Sequence, residues 1–185
     1  MNLFYLTFFI WILSEIILNR FVRSGKSDKH STDKNTEFFL WLTIIMSVTA
    51  AVFISINFSF PIFLSERFEF IGLVLIIAGI IIRFIAIRQL GKFFTVDVTI
   101  RSDHELMQGG LYQYLRHPSY SASLLSFLGL GLALNNWLSL CIVFFSVLFA
   151  YIHRMNTEES VLTEQFGQKY SDYIQRTKRI IPFVY

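Results

Sequence analysis

Apolar residues fill long stretches of the chain, and polar residues collect between them. A bilayer core of about 30 Å needs about 20 mainly apolar residues per helix. Residues 3–21 meet that length, interrupted by Glu15 and, near the end, by Arg20. Residues 38–58 meet it with no charge at all. Residues 70–90 meet it with Arg83 and Arg88 towards the end, where long side chains can snorkel to the interface. Residues 120–151 are too long for one span. Asn135-Asn136 interrupts them, and Trp137 follows as an interface anchor. The pattern therefore predicts a single all-α, polytopic membrane domain. Its five spans run over about 3–21, 38–58, 70–90, 119–134 and 137–153.

The polar intervals differ in kind. Residues 23–37 carry no apolar side chain and read as a mobile linker without a core of its own. Residues 91–118 and 153–185 mix polar and apolar positions, so any chemistry is expected there. Leu162, Phe166, Tyr170 and Tyr173 recur at helical spacing and predict an amphipathic C-terminal segment over 156–185. Gly167 weakens a continuous helix there by about 1 kcal/mol. No internal repeat or low-complexity tract is present.

Composition excludes several classes. Of 185 residues, 54% are hydrophobic and only 16% charged, against about 25% charged in an ordinary soluble domain. Residues 118–152 hold no Asp, Glu, Lys or Arg. Neither a soluble globular domain nor a disordered chain fits. The net charge of +3 is too small and too scattered to predict nucleic-acid binding. The single cysteine, Cys141, permits no intrachain disulfide. A cleaved signal peptide fits poorly: no basic region precedes the first apolar stretch, and Arg20 and Arg23 come at its far end.

Basic residues cluster in alternate loops. The first loop region has Arg20, Arg23, Lys26, Lys29 and Lys34, the third has Arg88, Lys92, Arg101 and Arg116, and the tail has five more. The second loop has only Arg67, and the Asn135-Asn136 turn has none. The positive-inside rule then places the N-terminus outside and the C-terminus in the cytoplasm. The membrane would be the plasma (inner) membrane of a bacterium or the endoplasmic reticulum of a eukaryote.

Two polar segments carry candidate chemistry. In LYQYLRHPSY (111–120), Pro118 suits the first turn of a helix. A helix starting at His117-Pro118 would aim its positive dipole end at a cytoplasmic pocket, where an anionic group could dock beside His117 and Tyr120. The plainer reading is an interfacial cap, with Arg116 on lipid phosphate. In RMNTEE (154–159), Arg154 and Glu158 share one face if the helix is continuous. Paired acids beside a membrane can bind an amine or a sulfonium. The plainer reading is a solvated helix start with Thr157 as cap. Glu15 is either functional, as intramembrane acids are by default, or a packing group. His30, His104, His117 and His153 lack metal-ligand spacing, so no metal is expected. No Walker A, GxGxxG or GxSxG motif occurs.

From about Leu90 to Pro182 the chain reads LGKFFT, then HELMQGGLYQYLRHPSY, then RMNTEESVLTEQFGQKYSDYIQRTKRIIP. The ordered set RHPSY, EExxL, FGxxYxxY and RxIP resembles the isoprenylcysteine carboxyl methyltransferase family of integral membrane enzymes. The resemblance implies S-adenosylmethionine as cofactor, bound from the cytoplasmic side. It places cofactor contacts at His104, Glu105, Leu106, Met107, Tyr112, His117, Pro118, Ser119, Tyr120 and Glu158. Arg154 falls where the family has an arginine associated with the substrate. Ala122 stands where the family usually has glycine, and Asp97 where eukaryotic members tend to have glutamine.

The function the resemblance implies is carboxyl O-methylation of an isoprenylcysteine-like, lipophilic substrate entering from the bilayer among membrane lipids. A carboxylate is ionised at neutral pH and needs no general base. N- or S-methylation of a phospholipid amine or small thiol is the second reading, with Glu159 as candidate base. A non-catalytic membrane scaffold is the third. Sterol reductases share a related C-terminal half, but their bundles are larger. The sequence does not fix the oligomeric state.

Overall fold

The computed structural model describes residues 3–21, 34–64, 69–91 and 106–181. Among the described residues six α-helices follow one another: α1 (Leu3–Phe21), α2 (Lys34–Asn57), α3 (Glu69–Leu90), α4 (Pro118–Ala133), α5 (Trp137–Phe166) and α6 (Gln168–Arg176). A short 3₁₀ turn, Gly110–Gln113, precedes α4. The architecture is all-α, that of a polytopic membrane protein. Among the described residues, three helical segments are long and apolar enough to cross a bilayer: Asn35–Asn57, Phe70–Leu90 and Trp137–Phe166. The apolar stretch of α1 described at side-chain level, Leu6–Ile17, is shorter. Phe9, Phe53, Val74, Phe84, Phe145 and Phe149 are all exposed, a surface suited to lipid.

The helix α4 has only 16 residues, about 24 Å at 1.5 Å per residue. It is the best-covered helix of the bundle, with Ala122, Ser126, Phe127, Gly129, Leu130 and Ala133 buried. Short length is tolerable there because α3 and α5 flank it. Its contact with α3 is built from small residues. A Cβ on Gly72 would meet Ala133 N and Gly129 O, each at 2.5 Å. A Cβ on Gly79 would meet Ala122 O at 2.6 Å and collide with Ser126 Oγ. In lipid no hydrophobic force drives helices together, so close backbone approach carries the association. Ala122 lies inside this contact, 2% exposed.

Asparagines make the α4–α5 turn. Asn135 takes φ +48°, which asparagine tolerates. Asn136 caps α5 by accepting from Ser139 N at 3.1 Å. Both also hold the loop after α2. Asn135 Oδ1 accepts from Ile62 N (3.1 Å) and Phe63 N (2.9 Å), and Asn136 Nδ2 donates to Phe58 O at 2.7 Å.

Three expectations change. First, α5 does not stop near 153. It runs on to Phe166 and ends at Gly167, whose φ of +53° favours glycine. The described part of that segment, 156–181, is therefore the end of α5, then α6, then a tail that pairs with Leu115. Second, Thr157 caps nothing: it lies within α5 and its hydroxyl donates to His153 O at 3.4 Å. Third, Arg83 does not snorkel. It pairs with Glu15 of α1 at 3.1 Å. A long apolar run locates a helix; only packing decides which way an arginine inside it turns.

Gly72→Ala tests the α3–α4 contact. Overpacking of about 1–3 kcal/mol should outweigh the roughly 1 kcal/mol gain in helix propensity, lowering the thermal midpoint in detergent. Gly109→Ala, whose Cβ would meet nothing within 4 Å, should leave it unchanged.

Candidate active site

Proline dictates the local path before α4. The residue preceding Pro118 is held out of helical geometry, so His117 takes φ −126° and ψ 59° and residues 115–117 enter the helix as non-helical backbone. Non-helical backbone at a buried site needs hydrogen-bond partners. The tail supplies them in a parallel pairing between Leu115 and Lys178. Lys178 N donates to Tyr114 O (3.1 Å), Arg116 N to Lys178 O (2.7 Å), and His117 N to Arg179 O (3.0 Å). Ser121 Oγ donates to Ile180 O at 2.6 Å, and Tyr173 Oη to Tyr112 O at 2.6 Å.

Glu159 sits at the centre of this junction. Its Oε1 accepts from Arg116 Nε at 2.8 Å, and its Oε2 from Arg179 Nη2 at 2.6 Å and Nε at 3.0 Å. His117 Nε2 lies 3.2 Å from Oε1. Arg116 also donates to Thr177 O (2.7 Å), and Arg179 to Asn156 Oδ1 (2.8 Å). One carboxylate thus ties α5, the segment entering α4 and the tail.

The neighbouring Glu158 points elsewhere, as successive helix residues must. Its Oε1 accepts from Tyr120 Oη and lies 3.3 Å from Arg154 Nε. Its Oε2 lies 3.4 Å from His117 Nδ1. Arg154 also donates to Thr36 Oγ1 of α2 at 3.1 Å. The Tyr120 ring stacks between His117 (5.6 Å) and Tyr151 (4.6 Å). Glu158 is the more open acid: its side chain is 21% exposed, against 11% for Glu159. A ligand would reach Glu158 first.

The 30 residues of α5 extend about 45 Å, about ten residues more than a 30 Å core needs. Both acids lie towards its C-terminal end. Burial alone would lower the His117 pKa, but hydrogen bonds and charge from Glu158 and Glu159 outweigh it and raise it. Only the imidazolium can donate to both acids at once. Burial alone would raise the Glu158 pKa; His117, Arg154 and Tyr120 hold it below the usual range. Burial acts likewise on Glu159, and His117, Arg179 and Arg116 hold it far below.

The structure brings Tyr112, His117, Pro118, Ser119, Tyr120, Arg154 and Glu158 to one end of the bundle. Leu106 and Met107 lie half-buried in the loop before the 3₁₀ turn. His104 and Glu105 lie outside the described residues. Glu159, the candidate base, carries cations on both oxygens, an arrangement that suits an anchor. The free amides expected at the start of α4 are fewer, since Tyr120 N and Ser121 N both bond to His117 O at 3.1 Å. The sequence reading missed Arg116 and Arg179 as partners of Glu159. Their only trace was their place in RHPSY and RxIP.

The model of the family described as phospholipid methyltransferase matches residues 67–169, more than half of the chain. The chain belongs to the phospholipid methyltransferase family. Protein-S-isoprenylcysteine O-methyltransferase B of Arabidopsis thaliana is 40% identical over 116 residues, which cover 61% of this chain and 58% of that protein. The Schizosaccharomyces pombe protein-S-isoprenylcysteine O-methyltransferase is 33% identical over 132 residues, 70% of this chain and 53% of that one. The chain therefore spans a little over half the length of these relatives. Among solved structures, the eukaryotic intramembrane Ras methyltransferase ICMT matches with TM-score 0.57 and 28% identity, over 80% of this chain and 51% of that chain. The matched family segment ends just beyond α5, so it holds both acids and the α4 start but not Arg179.

The cluster makes a pH prediction with two signs. The raised His117 contributes stability that is full below about 6.5 and lost as pH rises through its folded value. The lowered carboxylates contribute stability present above about 4.3 and lost as pH falls. Thermal scans from acid to alkaline pH should show both limbs. His117→Gln should flatten the alkaline one; an unchanged alkaline limb would contradict the assignment.

Proposed function

We propose that this protein is an S-adenosylmethionine-dependent membrane methyltransferase acting on the carboxylate of an isoprenylcysteine-like, lipophilic substrate. The observation that carries this reading is Glu158, a carboxylate with its side chain 21% exposed, held by His117, Tyr120 and Arg154 beside the start of α4. The donor set fits the cofactor. Glu158 suits an amino group or ribose hydroxyls, and the positive end of the α4 dipole suits a carboxylate. His104, Glu105, Leu106, Met107, Tyr112, Pro118 and Ser119 complete the proposed contacts. When bound, the cofactor supplies an electrophilic methyl on a sulfonium.

The chain's own groups do the positioning. Tyr120 and His117 fix the Glu158 carboxylate from two sides. Arg154, 2% exposed, acts as a fixed positive charge that orients the acceptor carboxylate. An ionised carboxylate needs no proton removed, and the rate gain comes from alignment and exclusion of water. The family description favours a second reading, methylation of a phospholipid amine. That acceptor must lose a proton. Both candidate acids here are held below the usual carboxylate range, which favours a carboxylate acceptor.

In this reading the helices make five crossings, with the N-terminus outside and the C-terminus cytoplasmic. The acceptor's apolar tail enters from the bilayer between helices. Calorimetry on detergent-solubilised protein tests the cofactor. S-adenosylmethionine and S-adenosylhomocysteine should bind with Kd on the order of micromolar, and Glu158→Ala should weaken both at least about tenfold. Radiolabel should then pass to a farnesylcysteine analogue in preference to phosphatidylethanolamine or a thiol. No binding by folded wild type would overturn the reading in favour of a scaffold.

A further inference from the structure

The helix α1 lies outside the matched family segment, yet it reaches the site. One face of α1 carries Thr7, Trp11 and Glu15, at spacings of four. Trp11 is 4% exposed and packs edge-on against Phe127 of α4 at 4.9 Å. Glu15 Oε2 pairs with Arg83 Nη2 of α3 at 3.1 Å, both side chains being largely covered. Glu15 is thus on the packing face, and its partner is named.

Arg83 does more than neutralise it. Its Nη1 lies 3.3 Å from Ser119 O, the carbonyl of the second residue of α4. Its Nε is buried without a partner. Ser119 precedes Tyr120, whose hydroxyl holds Glu158 and whose ring stacks on Tyr151. Tyr151 in turn donates to Ser123 Oγ at 2.7 Å, one turn further along α4. An arginine inside a membrane span is expensive unless paired. Pairing alone would be met by the carboxylate; the fork reaching Ser119 spans α1, α3 and the first turn of α4.

We propose that Glu15 and Arg83 form a positioning device: Glu15 orients the Arg83 guanidinium, which fixes the first turn of α4 through Ser119 O and so places Tyr120 against Glu158. The device rests on the cofactor reading above and extends it to α1. It predicts that cofactor affinity depends on a helix that does not touch the cofactor.

The charge-swapped double variant, Glu15→Arg with Arg83→Glu, separates positioning from structure. It keeps an ion pair between α1 and α3, but a carboxylate at 83 cannot donate to Ser119 O. The swapped protein should fold with a thermal midpoint near wild type. Its Kd for S-adenosylhomocysteine should rise about tenfold or more, as small displacements at a site do. KM for the cofactor should rise with it, while KM for the acceptor stays unchanged. Wild-type cofactor affinity in the folded double variant would overturn the proposal. If the double variant does not fold, Arg83→Lys decides. It keeps the charge opposite Glu15 and withdraws the planar fork, so weaker cofactor binding supports the device and unchanged binding overturns it. Failure of wild type to bind cofactor would instead sink the cofactor reading.

Discussion

The grip of three cations on the Glu159 carboxylate organises everything around it. Arg116 comes from the segment entering α4, Arg179 from the tail, and His117 from the α4 cap. Buried ion pairs are worth little against an apolar core but much against a lone buried charge. The bundle's apolar core, around Phe127, Leu130 and Val147, lies between the helices; the junction at this end is held by charge and backbone hydrogen bonds instead. Glu159 settles where the tail lies, and the tail supplies the partners for the non-helical residues before Pro118.

That arrangement leaves Glu158 free to differ. One residue along α5, it is turned towards Tyr120, Arg154 and the second nitrogen of His117, and it is more open. Adjacent acids therefore take separate positions: one holds the architecture, and the other is the acid that the proposed function assigns to the ligand. His117 links the two and shares its protons between them. The chemistry proposed here needs no base, because a carboxylate acceptor is already ionised, so the acid occupied by cations can serve the architecture alone.

Much of this was legible in the sequence. Runs of apolar residues gave the helices, Asn135-Asn136 the hairpin, and Pro118 the start of α4. The spacing of Arg154 and Glu158 put them on one face, and α5 is continuous as that required. What the sequence did not show is tertiary. The apolar run marks a span over about 137–153, but the helix that holds it continues to Phe166, where its polar face meets partners. Arg116 read as a lipid contact, since its true partner lies 43 residues away. Glu15 and Arg83 stood 68 positions apart, and neither carries a local sign of the other.

Hydrogen–deuterium exchange with and without S-adenosylhomocysteine tests the central claim most directly. The account predicts added protection in residues 112–121 and 154–160, where the α4 start meets the two acids. The loop over 58–63, at the opposite end of the bundle, should not change. Protection confined to that outer loop, or none at the acids in a protein that binds the ligand, would contradict the account.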